Sequence, residues 1–160
     1  MIIPPFLKQG DTVGIVCTAR KFSAEEAQSA ITLLESWGLQ VKLGFTVGLD
    51  NYQLGGSDQQ RADDFQNMLN DDKVKMIWCA RGGYGTVRMI DEINFDLLLK
   101  NPKWIIGFSD VTLLLNQIYN QLNMAVLHAT MPIFMFDKSE EELKQAEFSF
   151  LQTLDFLRGK

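Results

Sequence analysis

Short apolar runs alternate with stretches of helical periodicity along the chain. The apolar runs at residues 12–17, 74–80 and 104–108 are rich in β-branched and aromatic residues, which is typical of strands. Shorter signals follow at 39–45, where apolar and polar residues alternate, and at 124–128. Between these runs, apolar residues recur every three or four positions, as they do on the buried face of a helix. The pattern therefore predicts five strands separated by helices.

Serines mark the starts of the predicted helices. Each has Glu or Gln three positions later, and this spacing lets two side chains satisfy free backbone N–H groups reciprocally. The pairs are Ser23 with Glu26, Ser57 with Gln60, and Ser139 with Glu142. Gly38 stands where a left-handed glycine would end the first helix. Further helical segments are predicted from Thr86, near residues 95–99, and from Ser109 or Asp110.

The alternation of strands and helices predicts the fold class. Parallel strands need helical crossovers, so we expect a three-layer, flavodoxin-like α/β domain with a mainly parallel five-stranded sheet over residues 1–160. Ligands of such sheets bind at the carboxyl ends of the strands. Three unusual segments fall there: residues 18–22, residues 81–85, and the pair Ser109-Asp110.

Composition narrows the possible functions. The 160 residues carry a net charge of −5, which argues against a partner with a phosphate backbone. Two cysteines and one histidine do not suffice for an ordinary structural zinc site, and no metal or cofactor is implied. The sequence has no apolar run long enough to span a membrane and no basic, apolar leader. We therefore expect a cytoplasmic protein.

Ser109 follows an apolar strand and precedes a helical pattern, in the order Gly107-Phe108-Ser109-Asp110-Val111-Thr112. A serine at such a strand-to-helix turn can expose its hydroxyl beside free backbone N–H groups, which is the physics of a nucleophile elbow. The second glycine of that elbow is missing. From these residues alone, the pattern favours a helix cap at Ser109 or Asp110 over a nucleophile.

A second candidate segment is the glycine-rich loop at residues 81–85 (RGGYG), which follows the third strand. Successive N–H groups in such a loop form an anion-binding nest, suited to a phosphate or to the oxyanion of acyl transfer. No Lys-Ser/Thr follows the glycines, so the loop is not a P-loop. A plain structural turn remains open, and Arg81 is a candidate to bind a carboxylate.

Three other side chains are candidates for chemistry. His128 ends the fifth predicted strand, at the same edge as Ser109, so a Ser–His pair is conceivable beside a merely packed histidine. Cys79 lies just before the glycine loop, where a thiol nucleophile would stand. Its apolar neighbours, like those of Cys17, favour a buried and inert thiol.

Together these segments resemble the LD-carboxypeptidases, a family of serine peptidases that includes muramoyltetrapeptide carboxypeptidases and microcin C self-immunity peptidases. The resemblance runs from residues 8–16 through residues 55–64 and 77–88 to residues 102–112 and His128. The pairing of Arg-Gly-Gly-Tyr-Gly with Gly-Phe-Ser-Asp-x-Thr is its most specific feature.

The resemblance implies an acyl-transfer site for muropeptides or similar small peptides. Ser109 would be the nucleophile, and the N–H groups of Asp110 and Gly83 would form the oxyanion hole. Within the glycine loop, Arg81, Gly82 and Tyr84 are candidate substrate contacts.

The resemblance also implies a second, C-terminal domain and a homodimer. Members of the family have two domains, and their Glu and His triad partners come from the second. We therefore expect residues 1–160 to be an N-terminal nucleophile domain that is inactive alone, with His128 outside the triad. Cys17-Thr18-Ala19 departs from the family's usual Ala-Pro-Ser after the first strand.

Two alternatives stay open: a non-catalytic anion-binding module, and a thiol amidotransferase-like enzyme using Cys79.

Overall fold

A computed structural model describes residues 1–159 of the chain, apart from the side chain of Leu154. Five strands form one sheet in the order β2-β1-β3-β4-β5, and every neighbouring pair is parallel. The strands are β1 Thr12–Val16, β2 Gln40–Leu43, β3 Val74–Cys79, β4 Trp104–Gly107 and β5 Leu127–His128. This strand order is that of flavodoxin-like proteins, so the predicted fold class is confirmed.

Helices cover both faces of the sheet. They are α1 Ala24–Ser36, α2 Asp58–Asn70, α3 Leu97–Lys100, α4 Thr112–Leu122 and α5 Glu140–Leu157. Buried residues of α1 and α5 pack with Ile15, Trp78 and Ile106 on one face. Those of α2 and α4 pack on the other face with the intervening strand residues, because successive side chains of a strand point to opposite sides. The result is a three-layer domain.

The predicted helix caps form as expected. Ser23 and Ser57 each accept a hydrogen bond from the backbone N–H three residues later, and the reciprocal bonds are also present. Ser139 and Glu142 make the same reciprocal pair at the start of α5. Gly38 follows α1 with φ of +77°, the left-handed conformation that glycine adopts without a steric penalty.

Three predicted elements are shorter than the sequence pattern indicates. The second strand has four residues, Gln40–Leu43, instead of the seven at 39–45. The helical segment from Thr86 consists only of the 3₁₀ turns Thr86–Arg88 and Ile90–Glu92. The fifth strand has two residues instead of five. Its first part pairs with the N-terminal segment instead, since Ala125 donates to the carbonyl of Ile2 and Ile2 donates to that of Asn123.

Lys103 is fully buried at the start of β4, at the sheet edge opposite the candidate site. Its ammonium donates to the carbonyls of Asp71 and Val74, each at 2.7 Å. Burial lowers the pKa of Lys103 from 10.5 to about 8, because desolvation penalises the charged form.

No helix within residues 1–159 is both long enough and apolar enough to cross a membrane.

Candidate active site

Ser109 lies in a strained turn at the carboxyl end of β4, where the sequence predicts it. Phe108 is still extended, and Ser109 then turns into the left-handed region at φ of +59°. A non-glycine residue in this region costs about 1–2 kcal/mol, so the surrounding packing must hold it there. Gly107 permits the tight turn, because a Cβ at Gly107 would lie 2.5 Å from the side chain of Val111.

The helix-cap interpretation of Ser109 is wrong. Ser109 opens a 3₁₀ turn, Ser109–Val111, and neither this turn nor α4 has a side-chain cap. Within residues 1–159 the Ser109 hydroxyl makes no hydrogen bond, and the carboxylate of Asp110 is engaged elsewhere. The Ser109 side chain therefore makes no hydrogen bond that would offset the free-energy cost of its strained backbone.

The glycine loop packs directly against this turn. A Cβ built on Gly82 would lie 3.2 Å from Cβ of Ser109, 3.4 Å from its Oγ, and 3.4 Å from the backbone nitrogen of Asp110. Any side chain at this position would press on the serine. Two segments that are 27 positions apart in the sequence thus meet at the hydroxyl of Ser109.

Two backbone N–H groups in the loops that line the Ser109 cavity are free donors. Those of Gly83 and Asp110 make no hydrogen bond to any of the described residues. Gly83 has φ of +120°, a conformation open to glycine and rarely to other residues. Free donors in two loops that meet at a serine are suited to an oxyanion, since preorganised N–H groups stabilise developing negative charge.

Asp110 ties the serine turn to the segment that follows the glycine loop. Its Oδ2 accepts a hydrogen bond of 3.0 Å from the backbone N–H of Thr86. Hydrogen bonds to a charged acceptor are among the stronger ones in proteins, at about 1.5–3 kcal/mol. The contact fixes the position of the glycine loop relative to Ser109.

Arg61 supports the glycine loop from below. Its side chain is fully buried, forms an ion pair with Asp58, and donates to the carbonyls of Thr18 at 2.7 Å and Gly85 at 2.8 Å. Burial lowers the pKa of Arg61, while the carboxylate of Asp58 opposes that shift. One side chain thus joins the end of β1 to the end of the loop after β3. Sequence reasoning missed it, because a helical arginine normally faces solvent.

A cavity of about 180 Å³ opens over Ser109. Its apolar wall is formed by the side chains of Phe108, Met131, Ile133 and Phe134. Gly82 and Gly83 line it on another side, together with two arginines, Arg20 and Arg81. Arg20 was not singled out from the sequence, although the segment that contains it, residues 18–22, was marked as unusual.

Tyr84 does not reach this cavity. Its side chain is 56% exposed and lines a neighbouring cavity with Tyr52, Arg88 and Arg20. The structure therefore brings Arg81 and Gly82 to the Ser109 cavity but places Tyr84 in a neighbouring cavity that shares only Arg20 with it.

The cysteines are buried away from the cavity. Burial raises the pKa of the Cys79 thiol to about 12, against a smaller opposing effect of its hydrogen bond with Thr18. Burial likewise raises the pKa of Cys17 to about 12. Reactive thiols are partly exposed and have lowered pKa values, so this geometry argues against the thiol-enzyme alternative.

His128 is exposed at the end of β5, and its ring lies 5.9 Å from that of Phe108. Among the described residues, its imidazole makes no hydrogen bond with Ser109 or with any other group. The conceivable Ser–His pair is therefore absent from this part of the protein.

Within the same residues, no three His, Cys, Asp or Glu side chains are close enough together to hold a metal ion.

The fold and the site define a class of protein: a doubly wound α/β domain whose strained serine turn faces a glycine-rich loop across the sheet edge. Residues 13–129 match the family model of the LD-carboxypeptidase N-terminal domain. The chain belongs to the LD-carboxypeptidase family, and the resemblance found in its motifs is confirmed.

Curated relatives carry carboxypeptidase and immunity-protein names. The chain is 38% identical over 128 residues to the "Probable murein peptide carboxypeptidase" of Bacillus subtilis (strain 168), which covers 80% of this chain and 40% of that protein. It is 28% identical over 108 residues to the murein tetrapeptide carboxypeptidase of Pseudomonas aeruginosa, covering 67% of this chain and 35% of that protein. The chain thus spans less than half the length of these relatives.

Solved structures confirm the fold. The chain superposes on the microcin C7 self-immunity protein MccF in complex with glutamyl sulfamoyl guanosine with a TM-score of 0.91 at 20% identity, covering all of this chain and 48% of that one. An MccF-like protein from Bacillus anthracis gives a TM-score of 0.84 at 25% identity, covering 98% of this chain and 47% of that one.

Proposed function

We propose that the protein is a serine carboxypeptidase that hydrolyses the bond between an L-centre and a C-terminal D-residue in muropeptides. One observation carries the proposal: Ser109 is held at φ of +59° with Gly82 packed against its hydroxyl. A strained, hydrogen-bond-free serine beside free N–H donors has the geometry of an acyl-transfer nucleophile. The names of the murein peptide carboxypeptidase relatives support the choice of substrate.

The chemistry proceeds in two steps. Oγ of Ser109 attacks the carbonyl carbon of the scissile bond and gives its proton to a general base. The N–H groups of Gly83 and Asp110 then hold the tetrahedral oxyanion. The C–N bond breaks, the base returns the proton to the leaving amine, and the D-residue departs. Water hydrolyses the remaining ester, which restores the hydroxyl of Ser109 and releases the shortened peptide.

The general base is expected from a second domain. A serine hydroxyl is a weak nucleophile until a neighbour takes its proton, and His128 makes no contact with Ser109 in the described residues. The matched relatives are more than twice as long as the region they share with this chain, which leaves room for the Glu and His partners that the family resemblance implies. Residues 1–160 by themselves are therefore expected to be an inactive N-terminal domain.

The test compares protein expressed from the complete gene with residues 1–160 alone. Chromatography should show release of the terminal D-residue from an L,D-tetrapeptide by the complete gene product and not by its Ser109→Ala variant. A fluorophosphonate probe followed by peptide mass spectrometry should label Ser109. Robust turnover by residues 1–160 that His128→Ala removes would overturn the two-domain mechanism and indicate a one-domain hydrolase.

A non-catalytic anion-binding module is the second candidate. The observation that favours it is the cavity itself, which is lined by Arg20 and Arg81 and by no acidic side chain. Such a module would bind an anionic peptide and leave it intact. Retention of the tetrapeptide on the complete gene product without cleavage, and without probe labelling of Ser109, would establish this function instead.

Location and assembly complete the proposal. A cytoplasmic location is supported by the two free, buried cysteines, Cys17 and Cys79, since reduced thiols are the rule there. The net charge of −5 supports a small peptide, rather than a nucleic acid, as the ligand. Homodimer formation, which the family resemblance implies, stays a prediction that light scattering on the purified protein tests.

A further inference from the structure

The cavity over Ser109 concentrates positive charge in a protein whose net charge is −5. Arg20 and Arg81 both line this cavity, and no acidic residue does. The remaining lining is apolar side chains, the two glycines and Ser109 itself. An anionic group that entered the cavity would therefore meet two arginine side chains and no carboxylate in the lining itself.

Arg20 is free to bind such a group. Its aliphatic stem crosses Gly83, where an added Cβ would lie 2.6 Å from both Cγ and Cδ of Arg20. The backbone of Arg20 is held by a β-bridge to Leu54. The backbone N–H of the next residue, Lys21, donates to the carbonyl of Gln53. Among residues 1–159, the guanidinium of Arg20 has no ion pair and no hydrogen bond.

Arg81 is only weakly engaged. Its Nη1 lies 3.9 Å from a carboxylate oxygen of Glu26 and 3.4 Å from the carbonyl of Lys21. Both distances exceed those of a strong charge-assisted hydrogen bond, which are about 2.7–2.9 Å. A carboxylate in the cavity would be a better partner for Arg81 than either of these groups.

The other arginines of the sequence are committed to partners. Arg61 and Arg88 both pair with Asp58, and Arg158 donates to the carbonyl of Trp37 at 2.6 Å. The sequence contains five arginines in all, so the two without a strong partner among the described residues are the two that line the Ser109 cavity. The lack of a strong partner is therefore specific to the arginines of this cavity and is not shared by the other three.

We propose that Arg20 and Arg81 bind the free C-terminal carboxylate of the peptide and thereby restrict cleavage to its last residue. The inference rests on the proposed carboxypeptidase function and assigns the group that recognises the chain end. A guanidinium binds a carboxylate through two parallel hydrogen bonds, which gives both strength and orientation. The cavity, about 180 Å³, has room for one small residue.

The experiment compares two substrates on the complete gene product: an L,D-tetrapeptide with a free C-terminal carboxylate and the same peptide as its C-terminal amide. The wild type should cleave the acid at least about 100-fold more efficiently than the amide. Arg20→Gln and Arg81→Gln should each lower kcat/KM for the acid by roughly 10–100-fold, as expected for a lost charged hydrogen bond, and should leave the amide rate nearly unchanged. Arg20→Lys should retain part of the preference, because it keeps the charge without the planar donor pair.

Arg88→Gln is the matched control, since Arg88 is a neighbouring arginine outside this cavity that is already paired with Asp58. It should preserve the acid-to-amide ratio. An unchanged ratio in Arg20→Gln would overturn the inference while leaving the proposed function intact, whereas a wild type that cleaves neither peptide would contradict the proposed function itself. Thermal melting confirms that each variant folds. Should Arg81→Gln fail to fold, the exposed Arg20 alone decides the outcome.

Discussion

Gly82 lies against Ser109 so closely that a single added carbon would touch both the Cβ and the Oγ of the serine, at 3.2 and 3.4 Å. The conformation of Gly82 itself is one that other residues adopt, since its φ lies outside the left-handed region. The need for glycine at this position therefore comes from the close approach of two loops at the sheet edge.

This contact predicts that Gly82→Ala damages activity more than stability. The added methyl would move the serine or the glycine loop by a few tenths of an ångström. Because misplacement of reacting groups by about 1 Å can cost about 100-fold in rate, we expect kcat/KM for peptide cleavage to fall at least about 10-fold. The melting temperature should change by no more than about 2–4 °C, which corresponds to roughly 1 kcal/mol at this size.

Gly10→Ala provides the opposite control. Gly10 has φ of +88°, but nothing lies within 4 Å of a Cβ at this position, which is remote from the site. This variant should lose about 1 kcal/mol of stability through backbone strain and keep full activity. A Gly82→Ala variant with normal kcat/KM would contradict the close-approach argument.

The strain at Ser109 predicts that Ser109→Gly makes the protein inactive and more heat-resistant. Glycine removes the steric penalty at φ of +59°, and the serine side chain has no hydrogen bond among the described residues whose loss would offset that gain. Relative to Ser109→Ala, which keeps the strain, we expect Ser109→Gly to unfold at a temperature higher by about 2–4 °C, for a gain of roughly 1 kcal/mol. Calorimetry on both variants measures this difference.

Equal melting temperatures for these two variants would mean that the strain relieved at Ser109 is no larger than the conformational freedom that glycine adds to the unfolded chain. A lower melting temperature for both, relative to the wild type, would restore the helix-cap interpretation, since loss of a cap costs about 1 kcal/mol.

Burial of Cys79 predicts that the native protein resists alkylation. A thiol whose pKa is about 12 is only about one part in ten thousand thiolate at pH 8, and Cys79 is also inaccessible to solvent. Iodoacetamide at pH 8 should label neither Cys79 nor Cys17 in the folded chain over a period that labels both in denaturant. Mass spectrometry of the intact protein reports the extent of reaction. Rapid, selective labelling of Cys79 would revive the thiol-enzyme alternative.

Lys103 predicts a specific pH dependence of stability. Its folded-state pKa of about 8 lies below its ordinary value of 10.5, so the folded protein loses this proton first as the pH rises. The unfolded chain then binds more protons between about pH 8 and 10.5, and the contribution of Lys103 to stability increases over that range. Below pH 8 both states hold the proton, and the contribution stays at its lower value.

Denaturant unfolding of the wild type and Lys103→Met at pH 7 and pH 9.5 isolates this effect, because other titrating groups cancel in the difference. The stability of the wild type relative to the variant should grow by about 1–2 kcal/mol at pH 9.5. A constant difference would mean that the ammonium is solvated in the folded state.

Local sequence patterns account for most of the secondary structure. The capping boxes at Ser23 and Ser57 form because each involves groups only three residues apart, which any chain entering a helix there brings together. The central strands have the predicted positions within about one residue, since their β-branched runs are buried on both faces. Parallel order then follows from the helices between them.

The same local reasoning was wrong where distant groups compete for the backbone. The strand expected at residues 124–128 is shortened to Leu127–His128, because Ile2 pairs with the segment around Met124. The partner that shortens the fifth strand, Ile2, lies more than a hundred positions away in the sequence. The helix expected from Thr86 is reduced to the 3₁₀ turns Thr86–Arg88 and Ile90–Glu92.

The sequence by itself determined the fold class, the serine turn and the glycine loop as candidates, and the family to which they belong. Only the tertiary structure decided which side chains surround the serine. Arg20 and Arg61 look like ordinary polar residues of a loop and a helix, yet one lines the Ser109 cavity and the other is buried beneath the glycine loop. The physical reason is that parallel strands carry their carboxyl ends to one edge of the sheet. Residues more than forty positions apart therefore meet there at distances that no local pattern encodes.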